Sequence, residues 1–244
     1  MHYKKAPIVE ALLQLQFAEG LTDADMGRVS RKAESHYTEK EDMRDFQVAV
    51  RVHNGNATPE IGAVNPWHRH TSKDGADFFV VNRNQFTVGR RAPYENWEKF
   101  FGRFERDYDF FYKTVGFKKI TRIGLRYINR IDVPVAEDGS GDIRRYLNVY
   151  PHSPLKVYDK FVANHVRFEY ADDVSGATVV LTSGTVDPEL INHVSYLLDL
   201  DVIVQKDVPL KREDILDRIE SLRAVKNGLF ECLVTDEARR LFDA

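Results

Sequence analysis

RIGLRYINRID, residues 122–132, decides how the rest of the chain is read. As a strand it places Ile123, Leu125, Tyr127, Asn129 and Ile131 on one face, and Arg122, Gly124, Arg126, Ile128 and Arg130 on the other. The second face carries three arginines spaced by roughly 13 Å along a strand. That face has two readings: a basic surface for an anionic partner, or one side of a set of ion pairs with the chain's own carboxylates.

Outward from this strand, the same order of elements occurs twice. In the first half, Val9, Ala11, Leu13, Leu15 and Phe17 alternate as a strand face, and Thr22 is placed to cap a helix with Asp23 and Asp25 in its first turn. Strands are expected at 46–53, 60–65, 78–82 and 85–90. A helix follows at 94–115, with Trp97, Phe100, Phe101, Phe104, Tyr108, Phe111 and Val115 at spacings of three, four and seven, and Gly116 to stop it. In the second half the 122–132 strand is followed by a short helix to about 149 and strands at 157–161, 165–170, 178–182 and 194–204. A long helix is expected at 212–227, and a last one capped by Thr235. Loops are expected at 54–59, 66–75, 136–141, 150–155 and 171–177.

These patterns predict an α+β protein of two similar β-α-β-β-β-β-α halves, residues 1–117 and 118–244, in one compact unit. The halves would form a curved antiparallel sheet with the long helices packed on one face. By fold-level analogy the whole resembles the saddle of the TATA-binding protein, and each half a helix-grip unit.

Composition narrows function by exclusion. The 244 residues are 43% hydrophobic and 30% charged with a net charge of −3, so no global positive field draws the chain to nucleic acid or anionic membrane. The two lysines and apolar run at the N-terminus are interrupted by Glu10, Gln14 and Gln16, and no segment is apolar enough to span a membrane. The expected setting is cytoplasmic. One cysteine, Cys232, excludes an internal disulfide, and its apolar neighbours predict a buried structural thiol. Phosphate loops, dinucleotide fingerprints, nucleophile elbows and HExxH are missing from the sequence. His68 and His70, with Asp74 or Asp77, offer metal-compatible ligands, but a solvated loop is the simpler reading of PWHRHTSKDGAD, so no metal or cofactor is assigned.

For the arginine face, pairing with in-chain carboxylates is the simpler reading, with Glu10 opposite Arg126 or Arg130 and with Asp132 and Glu169 as further partners. Three stretches, APIVEALLQLQF at the start, GLRYINRIDV in the centre and KNGLFECLVTDEARRLF at the end, resemble a sporadically distributed bacterial family of conserved hypothetical proteins. The resemblance spans nearly the whole chain and brings no catalytic residues with it. It implies an accessory role, of the kind met in phage defence or toxin–antitoxin modules. It singles out Glu10, Arg126, Tyr127, Asn129 and Arg130. The expected function is therefore a non-enzymatic binding or adaptor module that engages a protein partner, with Glu10, Arg122, Arg126, Asn129 and Arg130 as candidate binding residues. The alternatives are a nucleic-acid-binding arginine face, and a small-ligand carrier or enzyme with a cavity between sheet and helices.

Overall fold

The computed structural model describes residues 3–53, 56–135, 141–152 and 163–243. Among them are nine strands and four α-helices, an α+β chain in which every resolved strand register is antiparallel. In chain order these are β1 (Ile8–Phe17), α1 (Asp23–Ala33), β2 (Glu39–His53), β3 (Asn56–Thr71), β4 (Asp77–Asn82), β5 (Gln85–Arg91), α2 (Trp97–Val115), β6 (Ile120–Pro134), β7 (His165–Asp172), β8 (Ala177–Val186), β9 (His193–Val204), α3 (Arg212–Leu233) and α4 (Asp236–Asp243). A single 3-10 turn, Ile143–Arg145, stands where a short helix was expected. The strand expected at 157–161 lies outside the described residues, as does most of the loop expected at 136–141. No described helix is long and apolar enough to cross a membrane.

The compact units interleave along the chain instead of dividing it at 117/118. One comprises Gln14–Arg90 and Glu95–Thr121; the other comprises the segment through Leu13, Arg91–Tyr94, and everything from Arg122 onward. In the first unit the strand order is β2-β3-β4-β5 followed by the C-terminal part of β1. In the second, the N-terminal part of β1 is followed by β6-β9-β8-β7. β1 serves both because its backbone is used along its whole length: the Ala92 N–H donates to the Val9 carbonyl at 2.9 Å, and the Phe17 N–H to the Asn84 carbonyl at 2.8 Å.

In the first unit, α2 lays its aromatic stripe on the strands. Phe100 and Phe104 are fully buried, and Trp97, Tyr108, Phe110 and Phe111 nearly so. The helix starts at Trp97 rather than 94 because the Asn96 side chain caps it, accepting from the Lys99 N–H at 2.9 Å. Gly116 ends it with φ +75, a conformation that suits glycine. Helix α1 carries the expected cap in a reciprocal form: Thr22 Oγ1 accepts from the Asp25 N–H, and the Asp25 carboxylate accepts from the Thr22 N–H, both at 3.1 Å.

β3 corrects part of two loop expectations: residues 56–59 and 66–71 are strand, whereas 72–75 form a turn as expected and 54–55 lie outside the described residues. It runs to Thr71 because residues 67–71 pair on both sides, Trp67 with Met43 of β2 and Asn82 of β4, Thr71 with Glu39 and Phe78. His68 and His70 therefore do not share a solvated loop. His68 Nδ1 lies 2.6 Å from the Asp42 carboxylate, and His70 is fully buried with Nε2 2.9 Å from the Ser30 hydroxyl. Burial holds the His70 imidazole neutral, down to about 4.

α2 also carries a charged cluster that meets Tyr37, beyond the end of α1. Asp107, fully buried, accepts from the Tyr37 hydroxyl at 2.5 Å and from Arg106 Nε at 2.8 Å. Burial pushes its carboxyl up to about 6, against the Arg106 guanidinium and the Tyr37 hydroxyl, which both favour the charged form. A raised carboxyl pKa means that the folded state holds the proton more tightly than the unfolded chain. Stability from this group is then complete below the unfolded value of 3.8 and is lost as pH rises to about 6. The protein is expected to lose about 2 kcal/mol over that window, and Asp107→Asn is expected to lose none of it. Urea midpoints followed by tryptophan fluorescence measure this, since Trp67 and Trp97, the chain's two tryptophans, both lie in this unit. An identical pH dependence in the two proteins would show that folding does not raise the Asp107 carboxyl above its unfolded value.

In the second unit, Ile131, Val133, Leu181, Tyr196, Leu198 and Leu200 pack against Val234, Ala238 and Phe242. Helix α4 is capped as expected by Thr235, whose hydroxyl accepts from the Ala238 N–H at 3.3 Å. α3 continues six residues past its expected end because Leu229, Phe230 and Leu233 extend its apolar face onto this cluster. Cys232 lies on the other side of that turn and is exposed, contrary to the expected buried thiol.

Candidate functional site

β6 and β9 pair antiparallel without a break from Ile123–Val204 to Pro134–His193. Strand alternation then sorts the residues. Ile123, Leu125, Tyr127 and Ile131 are buried on the face that carries α3 and α4, beside Leu198 and Leu200. Arg122, Arg126 and Arg130 point to the opposite face, where the register sets Arg126 across from Asp201, Ile128 across from Asp199, and Arg130 across from Leu197.

Each arginine reaches a carboxylate of its own chain. Arg126 makes a bidentate contact with Asp199, two residue pairs along the ladder, at 2.9 Å from Nε and 2.6 Å from Nη2. Arg122 reaches Asp201 at 3.2 Å. Its guanidinium crosses Gly124, where a Cβ would come within 2.5 Å of Nη1, so the glycine of the 122–132 stretch makes room for that arm. Arg130 donates to Asp132 at 3.0 Å, to the Ser195 hydroxyl at 3.3 Å and to the Asp187 carbonyl at 3.1 Å, and also pairs with Glu189. The Ser195 hydroxyl donates in turn to Asp132. Across the sheet, Arg167 of β7 aligns through Thr182 with Asp199, and Glu169 aligns through Val180 with Asp201, and these two β7 side chains pair with each other.

The electrostatics follow from this packing. The hydrogen bonds that Arg126 donates to Asp199 raise it further above its already high value, with a smaller contribution from the charge of Glu10. Burial raises the Asp201 carboxyl, and its neighbour Asp199 adds to the rise, while Arg122 and Arg126 pull it down. Four arginines (Arg122, Arg126, Arg130 and Arg167) thus stand among five carboxylates (Asp132, Glu169, Glu189, Asp199 and Asp201). The face is near neutral and finely patterned in charge. Its side chains are held by these pairs, and Arg126 is 43% exposed.

The remaining candidates lie elsewhere. Asn129 is on the buried face, 2% exposed, and donates from Nδ2 to the Leu198 carbonyl at 3.0 Å. It satisfies sheet backbone and does not share a surface with the arginines. Glu10 sits 3.9 Å from Arg91. Asp199 and Asp201 are the residues that sequence reasoning missed. Their signal was present: two aspartates at alternate positions in the otherwise apolar LLDLDVIV put charge on one face of a strand, and such charge implies a neighbour of opposite sign. Among the described residues, no group of three or more His, Cys, Asp or Glu side chains is placed to hold a metal ion.

No family model and no curated protein matches the chain. Among solved structures, it is similar to the S. pombe Pct1 RNA triphosphatase in complex with the Spt5 CTD, at 8% identity, over 92% of this chain and 86% of that one, with a TM-score of 0.21. A likeness that weak carries no argument about fold or function.

Proposed function

We propose that the protein is a non-enzymatic binding module, an adaptor of a bacterial accessory system, and that its arginine–carboxylate sheet face engages a protein partner. The observation that carries this reading is the charge balance of the face. A nucleic acid presents a continuous run of negative charge, and its binding scales with the number of cations free to displace counterions. Arginines already held by Asp199, Asp201 and Asp132 are poor candidates for that work, and the five carboxylates around them repel phosphate. A protein surface carries charges of both signs at side-chain spacing, so a patterned, near-neutral face fits it better. Bidentate pairing also fixes the long arginine side chain in advance, which lowers the entropy lost on docking. The two successive β/α element series suit the same role, as a duplicated scaffold that presents a polar face.

Two binding experiments together test this. Titration with short single- and double-stranded DNA and RNA at low and moderate salt is expected to show no salt-sensitive binding. Affinity capture followed by cross-linking mass spectrometry is expected to place a protein partner on β6 and β9, and Arg126→Ala is expected to abolish those cross-links at unchanged circular dichroism. Salt-sensitive nucleic-acid binding that Arg126→Ala abolishes would overturn the reading in favour of nucleic acid.

A further inference from the structure

Two exposed surfaces of the chain are opposite in charge and alike in carrying bare apolar side chains. The first is the turn from β8 to β9, residues 187–192. It offers Leu190, 51% exposed, and Ile191, 88% exposed, with Asp187 and Glu189 on the same turn. The turn is tied down at several points. Arg130 holds the Asp187 carbonyl and Glu189, the Val135 N–H donates to the Asn192 carbonyl at 3.0 Å, and His193 Nδ1 lies 2.9 Å from the Ile191 carbonyl. Asn192 takes φ +59, a left-handed conformation that asparagine tolerates. The second surface is the end of α2 with its connector to β6, where Tyr112 is 46% exposed and Phe117 57%. Lys113, Lys118 and Lys119 are interleaved with these rings. Backbone bonds fix this stretch too, from the Gly116 N–H to the Tyr112 carbonyl at 2.8 Å and from the Ala18 N–H to the Lys119 carbonyl at 2.9 Å. Among the described residues no carboxylate lies within ion-pair distance of the three lysines, and Asp25, whose charge reaches Lys118, is held by Arg28 at 2.5 Å. A cation in the last turn of a helix meets its negative end, which accounts for Lys113. It accounts neither for Lys118 and Lys119 nor for the exposed rings.

We propose that the acidic, aliphatic β8–β9 turn of one copy of this chain docks on the basic, aromatic end of α2 in a second copy. The occupant follows from complementarity. Leu190 and Ile191 against the rings of Tyr112 and Phe117 remove apolar surface from water on both sides. Asp187 and Glu189 come opposite lysines that lack carboxylates of their own. A nucleic acid or an anionic membrane would meet the lysines and leave the turn unused, whereas a second copy uses both surfaces, one of each per chain. The contact is heterologous, turn to helix end, so each copy that joins leaves one surface of each kind open. Four apolar side chains make a small contact, and the association is therefore reversible and grows with protein concentration. It involves neither Arg122 nor Arg126, so this inference and the protein-binding sheet face fail independently.

Sedimentation velocity of the full chain over a range of concentrations, at low and moderate salt, tests this. The weight-average mass is expected to climb with concentration and to fall back as salt is added. Ile191→Ser alone is expected to weaken association about tenfold, because an isoleucine 88% exposed in the single chain has nearly its whole side chain to bury in the contact. A turn variant, Asp187→Asn with Ile191→Ser, and a helix-end variant, Phe117→Ser with Lys118→Gln, are each expected to stay monomeric at unchanged circular dichroism. Mixed in equal amounts, the two are expected to form a dimer and nothing larger, since the intact turn of one meets the intact helix end of the other. Arg126→Ala is expected to associate like the parent protein. A monomeric mass at every concentration would overturn the proposal, as would association that the paired substitutions leave unchanged or a mixture that stays monomeric. In a protein that stays monomeric, flotation with phosphatidylserine vesicles that the helix-end variant loses would assign that surface to a membrane instead.

Discussion

Phe86→Ala is expected to destabilise the first unit by about 4 kcal/mol, the largest effect of any single truncation in it. Phe86 is fully buried, and its ring meets five others: Phe111 at 4.8 Å between centroids, Phe79 at 5.8 Å, Phe17 and Tyr108 at 6.0 Å, and Phe104 at 6.1 Å. Those five come from β1, β4 and α2, so Phe86 is the side chain through which the strands and the long helix touch one another. Truncation loses the transfer energy of a phenyl ring and leaves a void whose walls are aromatic and belong to different elements. Such walls cannot all move inward, so relaxation recovers little. Guanidinium unfolding followed by tryptophan fluorescence measures the loss. A cost below about 1 kcal/mol would show that the aromatic cluster repacks freely and that Phe86 is not its centre.

A second large effect is expected at Gly89, where Phe78 of β4 lies directly across the strand pair. A Cβ on Gly89 would fall 2.1 Å from Cζ of the Phe78 ring, well inside any real approach of two carbons. The ring has little room to retreat, because it is 5% exposed and the Arg69 guanidinium covers it at 4.9 Å from the centroid. Gly89→Val is expected to cost about 3 kcal/mol despite valine's preference for strands, since the steric conflict outweighs a propensity gain of well under 1 kcal/mol. Adding Phe78→Leu is expected to return about half of that loss. The two changes should therefore be strongly non-additive in a double-mutant cycle. Additive costs would mean that glycine is needed there for its backbone and not for the space above it.

The sequence by itself determined what depends on neighbours along the chain. The aromatic stripe of α2 was legible because seven apolar positions at helical spacing define one face whatever lies opposite it. The alternation of β6 was legible for the same reason, as were the caps of α1 and α4, each of which needs residues no more than three apart. Within the site, the face that each arginine occupies followed from strand parity alone. Asn129 belonged to the buried face by the same rule, and its inclusion beside the arginines rested on the family resemblance instead of on that parity.

Only the tertiary structure decided the partners. Arg126 meets Asp199 because β6 and β9 pair in one particular register across some seventy intervening residues, |i−j| being 73, and a shift of one residue would have turned those aspartates into the core. The reach of β3 through His68 and His70 was hidden for a similar reason. PWHRHT has little intrinsic strand character, and it is extended because β2 and β4 supply hydrogen bonds on both of its edges. The approach of Lys226 to Tyr127 joins residues ninety-nine positions apart (226 − 127) on different elements. Periodicity is a local property and is written in the sequence. Register and the meeting of distant elements are set when long-range pairing is chosen, and that choice exists only in the folded chain.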